Sequence, residues 1–214
     1  MNTEIGCLNQ FSTFWALKPG EPIPEGYKQI PYMFVFDVKF DLRRRARLVA
    51  GRHKTDPPKE DTYSKVVGSE SVKLGFLLGD LNGLICCAAD IGSAYLNSVT
   101  REKVYIIAGP EFGPDLEGRV LIIYKSLYGL KSLGARFHEH LSATLKKHGF
   151  IPSKADADLW MKDCMTHYEY LARYVDDILV WSKEPMSIID KLKETYTLKG
   201  VGAPKYFLGG TWRN

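Results

Sequence analysis

The chain has 214 residues, 45% apolar, 25% charged and 12% aromatic, with a formal net charge of +4. That apolar and aromatic share excludes a disordered or fibrous chain, and a domain of this size buries about 70% of its unfolded surface. No run reaches the ~18 uninterrupted apolar residues of a membrane span, because Leu74 to Ala89 is broken by Asp80 and Asn82. The N-terminus lacks the basic and apolar regions of a signal peptide, so the expectation is a protein of the cytoplasm with no membrane partner. Cys7, Cys86, Cys87 and Cys164 follow no zinc spacing, and the adjacent Cys86 and Cys87 read as buried core in a reducing compartment. The five histidines (His53, His138, His140, His148, His167) form no metal set either.

In chain order, Pro19 to Gly26 is a Pro/Gly-rich segment, and residues 1–30 are expected to form an extended lead-in to a single domain over 31–214. Phe34, Phe36, Val38 and Phe40 alternate with Val35, Asp37 and Lys39, the period of a half-buried strand. Residues 46–50 can pair with it as a hairpin that turns near Asp41 to Arg43. Arg43, Arg44, Arg45, Arg47, Arg52 and Lys54 cluster here. Such a cluster is either a solvated or localisation-like basic run or a phosphate contact. Asp56 to Asp61 and Ala108 to Pro114 read as loops.

Leu84 to Ala89 reads as a strand buried on both faces and ending at Asp90, and Val120 to Tyr124 as another strand. Phe137, Leu141 and Leu145 recur at helical spacing, with Lys146, Lys147 and His148 in the last turn and Gly149 as the stop. Ser187 and Asp190 suggest a variant capping box before Ile189, Leu192 and Tyr196. The mixture lacks a regular βαβ rhythm, which predicts an α+β fold.

The chemistry concentrates at Tyr174-Val175-Asp176-Asp177, bracketed by the β-rich runs Tyr168 to Arg173 and Ile178 to Trp181. This reads as a hairpin with carboxylates at its tip. An ordinary Asp-containing turn is the plain alternative, but adjacent acids beside buried strands cost several kcal/mol unless paired or metal-bound. Asp90, at the end of its own strand, serves either as a helix cap or as a third acid brought beside the tip by sheet pairing. Three such acids make the hard-oxygen site that holds Mg²⁺ together with substrate phosphates.

Seven motifs follow one another along the chain: Arg44 to Gly51, Tyr63 to Val67, Asp90 to Asn97, Glu102 to Tyr105, Lys125 to Lys131, Tyr174 to Asp177, and Tyr206 to Gly209. In carrying these in this order the chain resembles the reverse transcriptase domain of copia-type LTR retrotransposons, over about Phe11 to Gly209. Departures are Leu133 to Phe137 where many members carry a proline, Arg52 after Gly51, and Ser98 after Asn97.

The resemblance implies a right-hand polymerase, with palm and fingers interleaved over 31–214 and an antiparallel sheet carrying the aspartates. The chain is expected to stop at Asn214, before the thumb. Asp90, Asp176 and Asp177 become the catalytic acids holding two Mg²⁺ or Mn²⁺ ions. Arg45, Arg47, Ser93, Ala94, Tyr95, Tyr128 and Gly129 become nucleotide-binding residues. Of these, Tyr95 blocks a ribose 2′-OH, or else is simply a core aromatic after a turn. Tyr174, Phe207, Leu208 and Gly209 are assigned to primer and template. The implied partners are an RNA or DNA template with its primer, dNTPs, and the ribonuclease H and integrase modules of a parent polyprotein, in the cytoplasm or in retroelement particles. The rival reading is an inactive, truncated retroelement remnant that folds and binds nucleic acid without catalysis.

Overall fold

The computed structural model describes residues 1–38, 42–51, 66–204, 206, 207, 210 and 211. In chain order these form α1 (Asn2–Gln10), β1 (Phe14–Ala16), β2 (Lys28–Gln29), β3 (Tyr32–Val38), β4 (Arg44–Ala50), α2 (Ser69–Leu81), β5 (Ile85–Ile91), β6 (Val104–Ile107) and β7 (Val120–Ile123). There follow α3 (Leu133–Lys147), β8 (Ile151–Pro152), β9 (Leu159–Asp163), β10 (Tyr168–Tyr174), β11 (Asp177–Ser182), α4 (Pro185–Lys193), β12 (Leu198–Gly202), β13 (Tyr206–Phe207) and β14 (Gly210–Thr211). Helices and largely antiparallel sheets mix as an α+β reading expects. The chain divides into two compact units, residues 1–63 with 95–139, and residues 64–94 with 140–214.

The first unit holds a four-stranded sheet in the order β1-β7-β6-β2 and the separate hairpin β3-β4. Leu48, Ala50, Ile106, Leu121, Ile123 and Leu127 form its buried core together with Leu8 of α1. The hairpin pairs from Tyr32↔Ala50 to Val38↔Arg44, as the alternation predicts; residues 39–41 of the expected strand and turn lie outside the described residues. Its burial differs from the sequence reading. Phe36 and Val38 are exposed while Leu48 and Ala50 are buried, because only the Tyr32–Ala50 end of the ribbon meets the core. The predicted loop at 108–114 contains a 3₁₀ turn at Pro110–Phe112 that buries Phe112.

The second unit is built on a six-stranded sheet, β12-β5-β11-β10-β9-β8. Helix α2 lies against β5, β10 and β11. A Cβ at Gly75 or Gly79 would come within 2.8 Å of the Trp181 ring, so two bare backbone positions one helical turn apart let the indole pack against the helix. Phe76 meets the same ring edge-on at 5.2 Å. Ile188, Ile189 and Leu192 of α4 are buried, and α4 contacts β5, β11 and β12.

Strand β5 is more lopsided than its sequence suggests. Cys87, Ala89 and Ile91 are buried, Cys86, Ala88 and Asp90 are half-buried, and Ile85 is exposed. Helix α4 starts at Pro185 with Glu184 as N-cap, so Ser187 is inside the helix and caps nothing. The proline ring, whose missing N–H is no loss in a first turn, fixes the start earlier than the capping-box pattern implied. The predicted helix around Phe137 to Gly149 is α3, and its stop at Gly149 has a φ of 85°.

Next to the expected acid hairpin lies a buried ion pair. The Arg173 guanidinium donates to the Asp158 carboxylate at 2.6 and 2.8 Å, with both residues almost fully enclosed. The Arg173 N–H also donates to the Asp158 carbonyl at 3.0 Å, fastening the chain before β9 to the strand that leads to Tyr174.

Candidate active site

The acids come together through sheet register. Strands β10 and β11 are joined by the two residues Val175 and Asp176, and Tyr174 pairs with Asp177 across the turn. Val175 has φ 56°, a left-handed conformation that a β-branched residue adopts at a cost of about 1–3 kcal/mol. The neighbouring central strand then fixes the third acid. Strand β11 pairs antiparallel with β5 so that Asp177 lies directly opposite Asp90, and register partners share one face of a sheet. The Ile91 N–H donates to the Asp176 carbonyl at 2.8 Å, extending the ladder into the turn. Asp90 is flanked on its other side by Lys199 of β12.

The electrostatics follow from this crowding. Partial burial first, then the charges of Asp176 and Asp90, push the Asp177 carboxyl from its ordinary 3.8 up to about 6. Asp177 still reaches solvent. Acids crowded at one sheet end are a donor set that binds a divalent cation, because the ion replaces repulsion with attraction. Asp90, Asp176 and Asp177 therefore fit hard divalent ions chemically.

After Asp90 the chain turns sharply. The Gly92 N–H donates to the Thr197 carbonyl at 2.8 Å, and a Cβ there would stand 3.1 Å from that same oxygen. Ser93 follows with φ 51°, and Ala94 opens a 3₁₀ turn, Ala94–Asn97. The departure at Ser98 has a local explanation: its buried hydroxyl donates to the Tyr95 carbonyl at 2.9 Å and closes that turn.

The remaining nucleotide-binding candidates gather within the first unit. The half-buried Tyr95 meets Tyr128 edge-on at 5.5 Å and Phe137 at 5.8 Å. The Arg47 guanidinium stands over the Tyr128 ring, 5.4 Å from its centroid. Arg45 and Arg47, two residues apart on β4, share the face opposite the buried Leu48 and Ala50. Gly129 has φ 92°, and a Cβ there would lie 2.1 Å from the Ala50 carbonyl oxygen, while the Ala50 N–H donates to the Tyr128 carbonyl at 2.7 Å. The Tyr-Gly pair thus ties its loop to the end of β4, and only glycine fits.

Tyr174 is half-buried at the end of β10. Phe207 lies in β13 with Tyr206, and Leu208 and Gly209 lie outside the described residues, as do Arg52 to Lys65. No helix among the described residues is long and apolar enough to cross a membrane. Sequence reading missed Lys199, which nothing marks until β12 is known to flank Asp90. It also missed the proximity of Cys164, His167 and Glu169, since their close spacing matches no standard zinc motif.

Comparison with known proteins agrees with the family resemblance. Residues 20–212 match the family model described as reverse transcriptase (RNA-dependent DNA polymerase). The chain is 27% identical to the Retrovirus-related Pol polyprotein from transposon RE1 of Arabidopsis thaliana, over 98% of its own length and 14% of that protein's. It is 32% identical to the transposon Ty1-MR1 Gag-Pol polyprotein of Saccharomyces cerevisiae, over 78% of the chain and 10% of the relative. A putative transposon Ty5-1 protein of the same yeast is 34% identical over 56% of the chain and 40% of the relative. The chain therefore spans well under half the length of these relatives. It belongs to the reverse transcriptase (RNA-dependent DNA polymerase) family, as a domain of the copia type of retrotransposon polyprotein.

Proposed function

We propose that this domain catalyses RNA-directed DNA synthesis, adding dNTPs to a primer 3′-OH by two-metal nucleotidyl transfer. The observation that carries this reading is the register Asp177↔Asp90 with Asp176 in the adjoining turn. Asp90, Asp176 and Asp177 would hold two Mg²⁺ or Mn²⁺ ions. The chemistry such ions supply when bound is activation of the attacking hydroxyl and stabilisation of the pyrophosphate leaving group.

The chain's own residues do the positioning. Arg45 and Arg47 neutralise phosphate, with Arg47 held in place by the Tyr128 ring. The backbone N–H groups of Ser93 and Ala94 donate to the triphosphate oxygens. Tyr95, braced by Tyr128 and Phe137, presents a ring that a ribose 2′-OH would strike. Tyr174 and the segment from Phe207 to Gly209 contact primer and template. In this reading the second unit is the palm and the first the fingers, and the domain acts beside the ribonuclease H and integrase modules of a parent polyprotein. Catalysis of this kind rests on positioning and charge stabilisation.

The test is primer extension on poly(rA)/oligo(dT) with Mg²⁺ or Mn²⁺, run beside Asp176→Asn. Extension by the wild type and none by the variant supports the proposal. A folded wild type that extends nothing with either metal refutes it for this chain and favours a nucleic-acid-binding remnant.

A further inference from the structure

Strands β9 and β10 are joined at the end of the hairpin remote from the acids by residues 164–167, a tight turn. The Cys164 N–H donates to the His167 carbonyl at 2.9 Å, and the Thr166 N–H to the Cys164 carbonyl at 2.8 Å. Met165, at the apex with φ 65°, is almost fully exposed. This turn folds Cys164 back toward the start of β10, where His167 and Glu169, two residues apart, share a face. The Cys164 Sγ, a His167 ring nitrogen and a Glu169 carboxylate oxygen all lie within 4.8 Å of one another.

We propose that Cys164, His167 and Glu169 form a Zn²⁺ site, distinct from the aspartate cluster, that clasps the β9–β10 turn. The donor set is one thiolate, one imidazole and one carboxylate, the mixture that selects zinc over magnesium. Four-coordinate zinc accepts three such ligands and a water. Its bonds of about 2.0–2.3 Å require the donors to close by only a fraction of their present separation.

Two further observations point to a ligand. The His167 Nε2 is shielded from solvent and has no hydrogen-bond partner among the described residues, a state that buried polar atoms rarely keep. Its Nδ1 lies 3.0 Å from the Thr166 hydroxyl. In the tautomer whose Nδ1–H donates there, the Nε2 lone pair is available to a metal, the outer-shell arrangement that orients ligating histidines.

Glu169 is itself held in place. Its carboxylate accepts a hydrogen bond from the Ser182 hydroxyl, and the Lys162 ammonium stands 3.6 Å away. That ammonium is the cation Zn²⁺ would displace, and the partly exposed Lys162 side chain can turn to solvent. Asp163 is occupied within the turn, accepting from the Met165 N–H at 2.7 Å.

The experiment uses the full chain, reduced and in saturating Mg²⁺, titrated with Co²⁺ as a spectroscopic probe and then with Zn²⁺. One equivalent of Co²⁺ is expected to give a thiolate-to-cobalt charge-transfer band that Zn²⁺ bleaches. The band should vanish in Cys164→Ser and in His167→Asn, with both variants unfolding like wild type in chelator, and persist in Asp176→Asn. No band in folded, reduced wild type overturns the proposal, as does a band that survives in Cys164→Ser. Should Cys164→Ser fail to fold, His167→Asn decides by the same criterion. Because the band reports a thiolate ligand, failure here is separable from failure of the polymerase reading, which primer extension measures.

Discussion

Replacing Asp177 by Asn should stabilise the metal-free protein at neutral pH while abolishing nucleotide addition. A rise of the Asp177 carboxyl from 3.8 to about 6 corresponds to about 3 kcal/mol if carried in full. Asp177 still reaches solvent, which screens the penalty, and about 1 kcal/mol is the expected remainder. The sign follows from proton linkage. Between about pH 4 and pH 6 the folded state binds the proton more tightly than the unfolded chain, so this group's contribution to stability falls as pH rises through that window.

The assay is urea unfolding in EDTA, followed by tryptophan fluorescence at pH 7.5 and pH 4.5. The variant should gain about 1 kcal/mol over wild type at the higher pH, or about 2–4 °C in Tm, and the gain should shrink at the lower one. Adding Mg²⁺ should raise the wild-type midpoint and leave the variant's nearly unchanged. An Asn variant less stable than wild type at pH 7.5, or a gain equal at both pH values, would refute the reasoning.

Three other outcomes are expected. Asp158→Ala removes the carboxylate that the buried Arg173 guanidinium pairs with and should cost about 3–5 kcal/mol in urea unfolding, whereas breaking the exposed Lys73–Glu70 pair should leave the urea midpoint nearly unchanged. Gly129→Ala forces a Cβ to within 2.1 Å of the Ala50 oxygen at positive φ, so it should lose more than the about 1–3 kcal/mol of conformational strain alone. Gly83→Ala, at φ 61° with nothing within 4 Å, measures that strain separately. Tyr95→Ala should relax discrimination between dTTP and UTP by at least about tenfold in single-nucleotide incorporation, with an unchanged ratio counting against the sugar-gate role.

The parts of this fold legible in the sequence are those with a local signature. Alternation marked β3, apolar brackets around two acids marked the β10–β11 hairpin, and i, i+4 spacing with a terminal glycine marked α3. Helix α2 escaped notice because Gly75 and Gly79 weaken helix propensity; their use appears only when Trp181, about a hundred residues later, fills the notch. Exposure of Phe36 and Val38 was equally hidden, since a two-stranded ribbon carries the same period whether or not anything covers it. For the site, the acids declared themselves by chemistry, but the face shared by Arg45 and Arg47 required the register of β4, and the flanking of Asp90 by Lys199 required β12. Motifs singled out Asp90, Asp176 and Asp177; sheet pairing shows how the strands that carry these three lie side by side.

The pairing of β5 with β11 also has a kinetic side. The two strands are neighbours in the sheet but lie roughly ninety residues apart in the chain, and closing so long a loop is slow compared with forming the local β10–β11 hairpin. During synthesis, β5 emerges well before both of its partners and presents unsatisfied, cysteine-bearing edges until β11 and then β12 leave the ribosome. A nascent chain released in between would carry Asp90 but no Asp176 or Asp177, and would offer a bare strand to its neighbours. Emergence of β11, followed by β12, is thus the step that both assembles the acid cluster and silences an aggregation-prone strand.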